Sequence, residues 1–330
     1  MTSRWRTTIA LGVLLVAVTG CNDDATSGRD PAWPSTTDPI ATDGLVWGTG
    51  SEVHLPDGTV IELDQPVGSY VVAGSGVWYL SADQDSEVDF ELATAAGEVV
   101  DTDANPYAPS LRTSADGRWL AFLDRPEGDD GPREAVVVDL TTGEEVVRSD
   151  EGLVPDDTSD VDWTDLYEEL PVDVHGITGD TAYVRGLDDT IAYDLSTGEA
   201  SVAEDTEGLR DLRPEPPHWN PAHTWSIPEQ PFGAVPQLRP DRGQPVTTRF
   251  AADPSAPPAL PGSPDLDSWT LTGWLDDTTA VGLTSTLDDS DPRPVLITCT
   301  VPDGECEVVP GNEGGVTLPV DRPWGIHPQA

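Results

Sequence analysis

The chain of 330 residues carries 61 acidic and 16 basic side chains, which gives a formal net charge of −45, and only 37% of its residues are hydrophobic. All of the basic side chains other than histidine are arginine, since the sequence contains no lysine. So acidic a surface repels the phosphates of nucleic acids, which argues against a nucleic-acid-binding protein. The lack of lysine excludes P-loop and Ser-x-x-Lys chemistry.

The chain begins with the pattern of a secretory signal peptide. Two arginines supply a positive n-region, and residues 9–18 form an apolar h-region that is too short to span a bilayer as a helix. The segment ends in Val-Thr-Gly-Cys at 18–21, which resembles the bacterial lipobox. The resemblance implies that residues 1–20 are cleaved off and that Cys21 receives a diacylglyceryl group. An ordinary secretory signal with a chance cysteine is the alternative.

Residues 21–40 follow as a polar segment rich in Asp, Ser, Thr and Pro, without apolar periodicity. This composition predicts a lipidated cysteine followed by a flexible tether. Several acyl chains anchor a protein stably where one does not. The sequence therefore predicts a protein held by its lipid on the outer face of a bacterial cytoplasmic membrane, with a folded domain over residues 41–330.

Short β-prone runs alternate with turn signals through most of this domain. The clearest example is 114–147, where the runs Trp-Leu-Ala-Phe-Leu and Ala-Val-Val-Val-Asp-Leu are separated by polar turns, a pattern that predicts an antiparallel meander. Five looser copies also join an upstream apolar run to a strand–turn–strand. Their turns carry glycines 39 to 61 residues apart: Gly58, Gly97, Gly143, Gly198, Gly243 and Gly304.

A repeat of this length is typical of β-propeller blades, which have four strands each. The segments D-G-R-W-L-A-F and V-V-D-L-T-T-G-E resemble the WD40-like or TolB-type repeat of bacterial envelope proteins, best at 114–147 and next best at 180–202. The prediction is thus an all-β propeller with six visible blades. A seventh blade between 203 and 275, where prolines obscure the fifth copy, and a pair of β-sandwiches are the alternatives. The run 315–320 could complete the first blade and close the ring.

Two cysteines remain beside Cys21. Cys299 and Cys306 flank the turn Pro-Asp-Gly at 302–304, so in a hairpin they would lie on facing strands, close enough for a disulfide. Such a short loop would add about 2–3 kcal/mol of stability by chain entropy. A zinc site is the alternative, although no histidine is nearby to complete it.

The 11 tryptophans include two groups that differ in their place in the repeat. Those at like positions in successive upstream runs are expected in the core: Trp47, Trp78 and Trp119. Those in or beside irregular loops are expected at a ligand-binding face: Trp163, Trp219 and Trp225. Burial of this second group as well is the alternative, because tryptophan usually packs.

No motif specifies a reaction. His218 and His223 are close in sequence but lack a third metal ligand. Acidic runs such as 83–87, 101–103, 156–162 and 288–291 are more typical of solvated loops than of Ca²⁺ sites, and the glycine of an EF-hand is missing. No cofactor is therefore predicted, with Ca²⁺ left open as a weak option.

The sequence thus predicts a non-enzymatic binding or scaffold module for a protein, peptide or glycan. An extracellular propeller enzyme, a hydrolase or lyase, is one alternative, because the same fold hosts many activities. Convergence of carboxylates at the central channel with histidines from the set His54, His175, His218, His223 and His327 would be its main support. A Ca²⁺-stabilised adhesion module is the other alternative.

Overall fold

Strand–turn–strand units follow one another along the chain and form six small sheets in sequence order, numbered here sheet 1 to sheet 6. The structure is a computed structural model. It describes residues 33–81, 90–125, 131–155, 157–158, 161–204, 209, 218–229, 235–250, 266–286, 294–312 and 315–322. Among these residues, no helix is both long and apolar enough to cross a bilayer.

The first three sheets contain eleven strands. Sheet 1 consists of β1 (Trp47–Thr49), β2 (Glu52–His54) and β3 (Val60–Glu62). Sheet 2 consists of β4 (Val67–Ala73), β5 (Gly76–Ser81), β6 (Phe90–Thr94) and β7 (Val99–Thr102). A 3-10 helix (Ala108–Ser110) precedes sheet 3, which consists of β8 (Arg112–Thr113), β9 (Trp119–Asp124), β10 (Glu134–Asp139) and β11 (Glu144–Ser149).

The last three sheets follow a short helix, α1 (Trp163–Glu169), whose N-cap is Asp162. Sheet 4 consists of β12 (Asp173–Thr178), β13 (Thr181–Arg185), β14 (Thr190–Asp194) and β15 (Ala200–Val202). Sheet 5 consists of β16 (Trp225–Ser226), β17 (Gln237–Pro240) and β18 (Val246–Thr247). Sheet 6 consists of β19 (Arg249–Phe250), β20 (Leu266–Trp274), β21 (Thr279–Thr286), β22 (Val295–Thr300) and β23 (Glu305–Val308).

The pairing of the strands confirms the predicted propeller architecture. Strands that are consecutive in sequence pair antiparallel within each sheet, and only β19 departs, pairing in parallel with β23. Two β-sandwiches would instead exchange strands between large facing sheets, so that alternative is wrong. Between sheets 4 and 6 the described residues form one sheet, which supports six blades.

Burial decreases from the first strand of a blade to its last. In sheet 2 the residues of β4 are almost all buried, whereas those of β7 are mostly exposed. The first strand of sheet 3, β8, contacts both β4 and β12, the first strands of the neighbouring sheets. First strands therefore line the centre and last strands form the rim, as in a propeller.

The predicted turn glycines are confirmed. Each lies between the last two strands of its sheet, and all six have φ between 68° and 136°, a region that residues with a Cβ rarely adopt.

The D-L-[ST]-T-G-E segment of the best repeat forms a hydrogen-bonded turn, and this turn occurs in both sheet 3 and sheet 4. In sheet 3, Asp139 Oδ1 accepts from Thr141 N at 2.8 Å and from Thr141 Oγ1 at 2.6 Å, and Gly143 N donates to Asp139 O at 2.7 Å. In sheet 4, Asp194 makes the same three contacts with Ser196 and Gly198 at 2.8, 2.6 and 2.7 Å. The D-L-[ST]-T-G-E motif is therefore a turn rather than an active site.

The C-terminal run closes the ring, as predicted. Gly48 N donates to Thr317 O at 2.8 Å and Thr317 N donates to Gly48 O at 2.9 Å, so this run lies beside β1 as the missing strand of sheet 1. The Tyr70 hydroxyl also donates to Thr317 O, at 3.1 Å. An apolar cluster with Trp47 from sheet 1, Leu283 from sheet 6 and Leu318 joins the two ends of the ring.

Residues 33–40, called here the N-terminal strap, correct the predicted boundary at residue 40. Trp33 is 5% exposed, and its ring centroid lies 5.9 Å from that of Trp78 and 5.8 Å from that of Phe122. Thr36 N donates to Leu140 O, which fixes the strap against sheet 3. The strap is thus part of the folded domain rather than of a flexible tether, while the rest of the predicted tether and the signal peptide lie outside the described residues.

The core lies between neighbouring sheets, and the predicted core tryptophans are confirmed there. Trp47, Trp78 and Trp119 are 5%, 1% and 3% exposed. They lie on β1, β5 and β9, each the second strand of its blade when the C-terminal run is counted as the first of sheet 1.

The predicted disulfide is also confirmed. Cys299 and Cys306 are directly opposite each other on β22 and β23, with their Cα atoms 4.0 Å apart and their sulfurs bonded. Both are buried in the cluster between sheets 5 and 6. Because both thiols are used, the zinc alternative is wrong.

Candidate functional site

The four histidines that the structure describes do not converge. His54 lies in sheet 1, His175 in sheet 4, and His218 and His223 in sheet 5, while His327 lies outside the described residues. His54 stacks on Trp47 with ring centroids 3.8 Å apart, and burial lowers its pKa despite the nearby Glu52. The enzyme alternative therefore loses its main support as far as the described histidines are concerned.

Arg112 is a buried charged residue on β8, one of the inner strands. It is 5% exposed; its Nη1 donates to Pro109 O and to Leu111 O at 2.7 Å, and its Nη2 donates to Asp173 Oδ2 on β12 at 3.3 Å. These contacts hold the 3-10 turn and join sheet 3 to sheet 4. Nη1 and Nη2 are thus committed to protein partners, while the buried Nε has no hydrogen-bond partner among the described residues.

A second central group of contacts fixes the C-terminal run. Thr113 Oγ1 donates to Asp321 Oδ2 at 2.5 Å, and Val320 N donates to Tyr70 O. Burial raises the pKa of Tyr70 well above its ordinary value, and the nearby Asp321 raises it further. Tyr70 therefore remains a neutral donor at physiological pH, and the contact serves ring closure.

Metal ligands are not grouped in the part of the chain that the structure describes: no cluster there holds three or more His, Cys, Asp or Glu side chains suited to an ion. The acidic runs at 83–87 and 288–291 lie outside that part. The Ca²⁺ alternative remains a prediction for them.

Trp163 begins α1 and is half-buried rather than part of an open face. Its ring centroid is 6.0 Å from that of Tyr167, and both pack on the cluster between sheets 3 and 4. The structure therefore separates Trp163 from Trp219 and Trp225, which lie together in sheet 5 through the Trp219–Ser226 bridge.

Residues 218–227, called here the aromatic loop, form the first turn of sheet 5. Asn220 is 1% exposed and its side chain organises the turn: Oδ1 accepts from Thr224 N at 2.7 Å and from Trp225 N at 3.0 Å. Its Nδ2 donates to Thr224 Oγ1 at 2.9 Å and to Asp277 O at 2.7 Å. A single buried amide thus fastens the loop internally and to sheet 6.

The aromatic loop presents two rings to solvent. Trp219 is 39% exposed, and its ring centroid lies 6.3 Å from that of His223, with the ring planes at 28°. Among the described residues, His223 is the only non-glycine residue with positive φ, at 54°. Strained backbone of this kind persists where surrounding contacts enforce it and is concentrated at functional sites.

Trp225 has a different role from Trp219. It is half-buried, packs against the cluster between sheets 5 and 6, and pairs with Pro240 on β17. Of the three tryptophans that the sequence suggested for a ligand face, Trp219 alone is exposed, and the other two are half-buried.

Sequence reasoning missed the residues that hold the loop. The dipeptide Asn220-Pro221 is a turn signal that could have indicated the loop itself. Nothing local indicates that Asp277, 57 residues from Asn220, supplies both its carbonyl to that amide and its carboxylate to Ala222 N at 2.7 Å.

Carboxylates surround the aromatic loop. Asp276 and Asp277 lie exposed in the turn between β20 and β21, and Asp241 N donates to Thr224 O. Although burial raises the pKa of Asp276, hydrogen bonds from Thr278 and Thr279 outweigh it and hold that pKa below its ordinary value. This carboxylate is therefore negative at neutral pH.

Comparison with known proteins finds similarity at the level of solved structures. TolB from Acinetobacter baumannii is 12% identical, with a TM-score of 0.34 over 85% of this chain and 67% of that one. A putative TolB from Agrobacterium tumefaciens is 14% identical, with a TM-score of 0.31 over 76% and 80%. A structure from a study of two prolyl endopeptidases is 14% identical, with a TM-score of 0.27 over 83% and 48%.

No family model and no curated protein sequence matches the chain. At these TM-scores the structural matches carry no argument about function, and the six-sheet architecture rests on the strand pairing described above.

Proposed function

We propose that this chain is a non-catalytic binding module, a propeller tethered by lipid at Cys21 to the outer face of a bacterial cytoplasmic membrane. The observation that carries the binding role is the aromatic loop, where a buried asparagine and a neighbouring sheet hold Trp219 open to solvent. Exposed tryptophan is costly to leave in water and is enriched where proteins contact partners.

The N-terminal sequence supports the anchorage, since a lipobox-like segment ends at Cys21. A lipid-held, rigid ring of blades suits a protein that recognises a neighbour rather than one that transforms a substrate. The polar groups of the inner strands agree with this role, because Arg112 and Asp321 are engaged in contacts between blades.

The anchorage is tested with Cys21→Ser in the native host. The variant is expected in the soluble fraction and without labelled palmitate, whereas the wild type is expected in the membrane fraction with label. The double variant Cys299→Ser and Cys306→Ser is the matched control, because it removes the other two cysteines and should leave fractionation unchanged. Retention of Cys21→Ser in the membrane would contradict the anchor.

The binding role is tested by chemical cross-linking of intact cells that express the full chain. A discrete adduct that survives purification under denaturing conditions is expected. If the chain cross-links to nothing beyond what an unrelated anchored protein of similar charge captures, the binding role is wrong.

A further inference from the structure

The aromatic loop carries more than an exposed ring. The exposed rings of Trp219 and His223 are stacked with their centroids 6.3 Å apart, and the loop beneath them is fixed by the four hydrogen bonds of Asn220 and by the bond from Ala222 N to Asp277. A surface that is already ordered loses little conformational entropy on binding. The loop is therefore suited to recognition as it stands.

The charge around the aromatic loop determines which ligands are attracted to it. Three exposed carboxylates lie on the turns that contact the loop, and two exposed guanidinium groups lie on β17 and the turn after it; these residues are Asp241, Asp276 and Asp277, with Arg239 and Arg242. Arg242 Nε lies 3.6 Å from Asp241, so these two charges compensate each other and the remaining carboxylates still outnumber the remaining guanidinium group. The whole chain, these residues included, carries a formal net charge of −45. Anionic ligands are repelled, and cationic ones are attracted.

Indole has the most favourable ring face for a cation, and an arginine or lysine placed over it gains both from the ring quadrupole and from nearby carboxylates. We infer that Trp219 and His223 form a docking platform for a cationic side chain, arginine or lysine, on a protein partner. The inference rests on the proposed binding function and names the chemistry of its partner. A neutral glycan would stack on the rings without using the surrounding charge.

A fluorescein-labelled hexa-arginine peptide tests the platform, with the full chain purified in detergent and binding followed by anisotropy at near-physiological salt. Trp219→Ala is expected to weaken binding about tenfold, and Trp219→Phe to retain most of the affinity. Leu170→Ala is the matched control: Leu170 is 45% exposed against 39% for Trp219, and it lies at the end of α1, so affinity should not change.

His223→Gly separates recognition from folding. Glycine tolerates the positive φ of this position, so the variant should unfold at the same temperature as the wild type or at a higher one, while binding the peptide more weakly. If the role of His223 were purely structural, His223→Gly would lower the unfolding temperature and leave the affinity for the peptide unchanged.

Three results would overturn the inference. Equal affinity of wild type and Trp219→Ala for hexa-arginine would show that the peptide senses only the general acidity of the chain. Trp219-dependent binding of a neutral chito-oligosaccharide in place of the peptide would identify a glycan site. If the cellular adduct of the anchored chain forms equally with Trp219→Ala, the binding function stands and the platform is wrong.

Discussion

Asp139 and Asp194 occupy equivalent turns with the same backbone contacts, yet their surroundings differ. Asp139 is 4% exposed and Arg118 Nη2 donates to its Oδ2 at 2.7 Å, whereas Asp194 lies on the exposed side of its strand. Burial raises the pKa of Asp139, but the hydrogen bonds from Arg118 and Thr141 outweigh it and lower that pKa overall. The same turn motif is therefore expected to contribute more to the stability of the fold at Asp139 than at Asp194.

Asp139→Asn is expected to destabilise the protein by about 1–2 kcal/mol at neutral pH, because it removes the charge-assisted hydrogen bonds between the buried Asp139 carboxylate and the partly exposed Arg118 guanidinium. Since the folded-state pKa is depressed, the stabilisation is present above the unfolded value of about 3.9 and is lost as pH falls through the folded value. Denaturant titrations from neutral to acidic pH should show that the difference in free energy of unfolding between Asp139→Asn and wild type becomes smaller below about pH 4.

Asp194→Asn is the matched control for this prediction. Asparagine Oδ1 can still accept the turn hydrogen bonds, and Asp194 is exposed and pairs with no arginine among the described residues, so its effect should be smaller. Equal losses in the two variants, or a gap for Asp139→Asn that does not change with pH, would contradict the argument.

At the scale of elements, the N-terminal strap shows what local sequence cannot convey. Trp33 stands in a polar, proline-containing segment with no periodicity, which indicates a tether. Its burial depends on Trp78 and Phe122, which are brought together only by the pairing of sheets 2 and 3. A single tryptophan with distant partners leaves no pattern in its own neighbourhood.

Two equivalent turn glycines test the strap. A Cβ added at Gly97 would meet nothing within 4 Å, whereas one at Gly143 would lie 2.2 Å from the carbonyl oxygen of Trp33. Gly97→Ala is expected to cost about 1 kcal/mol through the strain of its positive φ. Gly143→Ala should lower the free energy of unfolding by about 2 kcal/mol more than Gly97→Ala does, because the N-terminal strap must move as well. Thermal and denaturant unfolding measure both.

Similar losses for these two glycine variants would mean that the strap is not packed against sheet 3. Near-ultraviolet circular dichroism provides a second readout, because displacement of Trp33 from the aromatic cluster should change the signal of Gly143→Ala and leave that of Gly97→Ala unaltered.

At the scale of the whole molecule, apolar clusters join sheet 1 to sheet 2, 2 to 3, 3 to 4, 5 to 6 and 6 to 1. The last of these joins depends on the C-terminal run, which also supplies the inner strand of sheet 1. Closure removes the free edges on which sheets otherwise associate.

Thr317→Pro is expected to destabilise the protein by about 2–3 kcal/mol, because proline cannot donate to Gly48 O and leaves that carbonyl without its partner. The loosened edge of sheet 1 should also promote self-association, which light scattering after gel filtration detects. Thr317→Ala keeps both backbone bonds and should cost at most about 1 kcal/mol without association. Identical behaviour of the two variants would argue against closure through this strand.

The repeat pattern was predictable from sequence because its causes are local. Turn glycines, the D-L-[ST]-T-G-E contacts and the tryptophans of the second strands each follow from a few adjacent residues. The aromatic loop was predictable only in part: Trp219 stood out by composition, while the roles of Asn220 and Asp277 arise from contact between two blades. Sequence thus indicates the blades better than the surfaces that they jointly form.

The pairing of Gly48 with Thr317 also imposes an order on folding. These residues are 269 positions apart, so the first blade in sequence cannot be completed until the last one has been delivered. Blades built from neighbouring hairpins can form earlier, since short loops close at little entropic cost. During synthesis from the N-terminus, β1 would therefore have an unpaired edge until the C-terminal run has been made. A chaperone that covers this edge would be most useful during that interval.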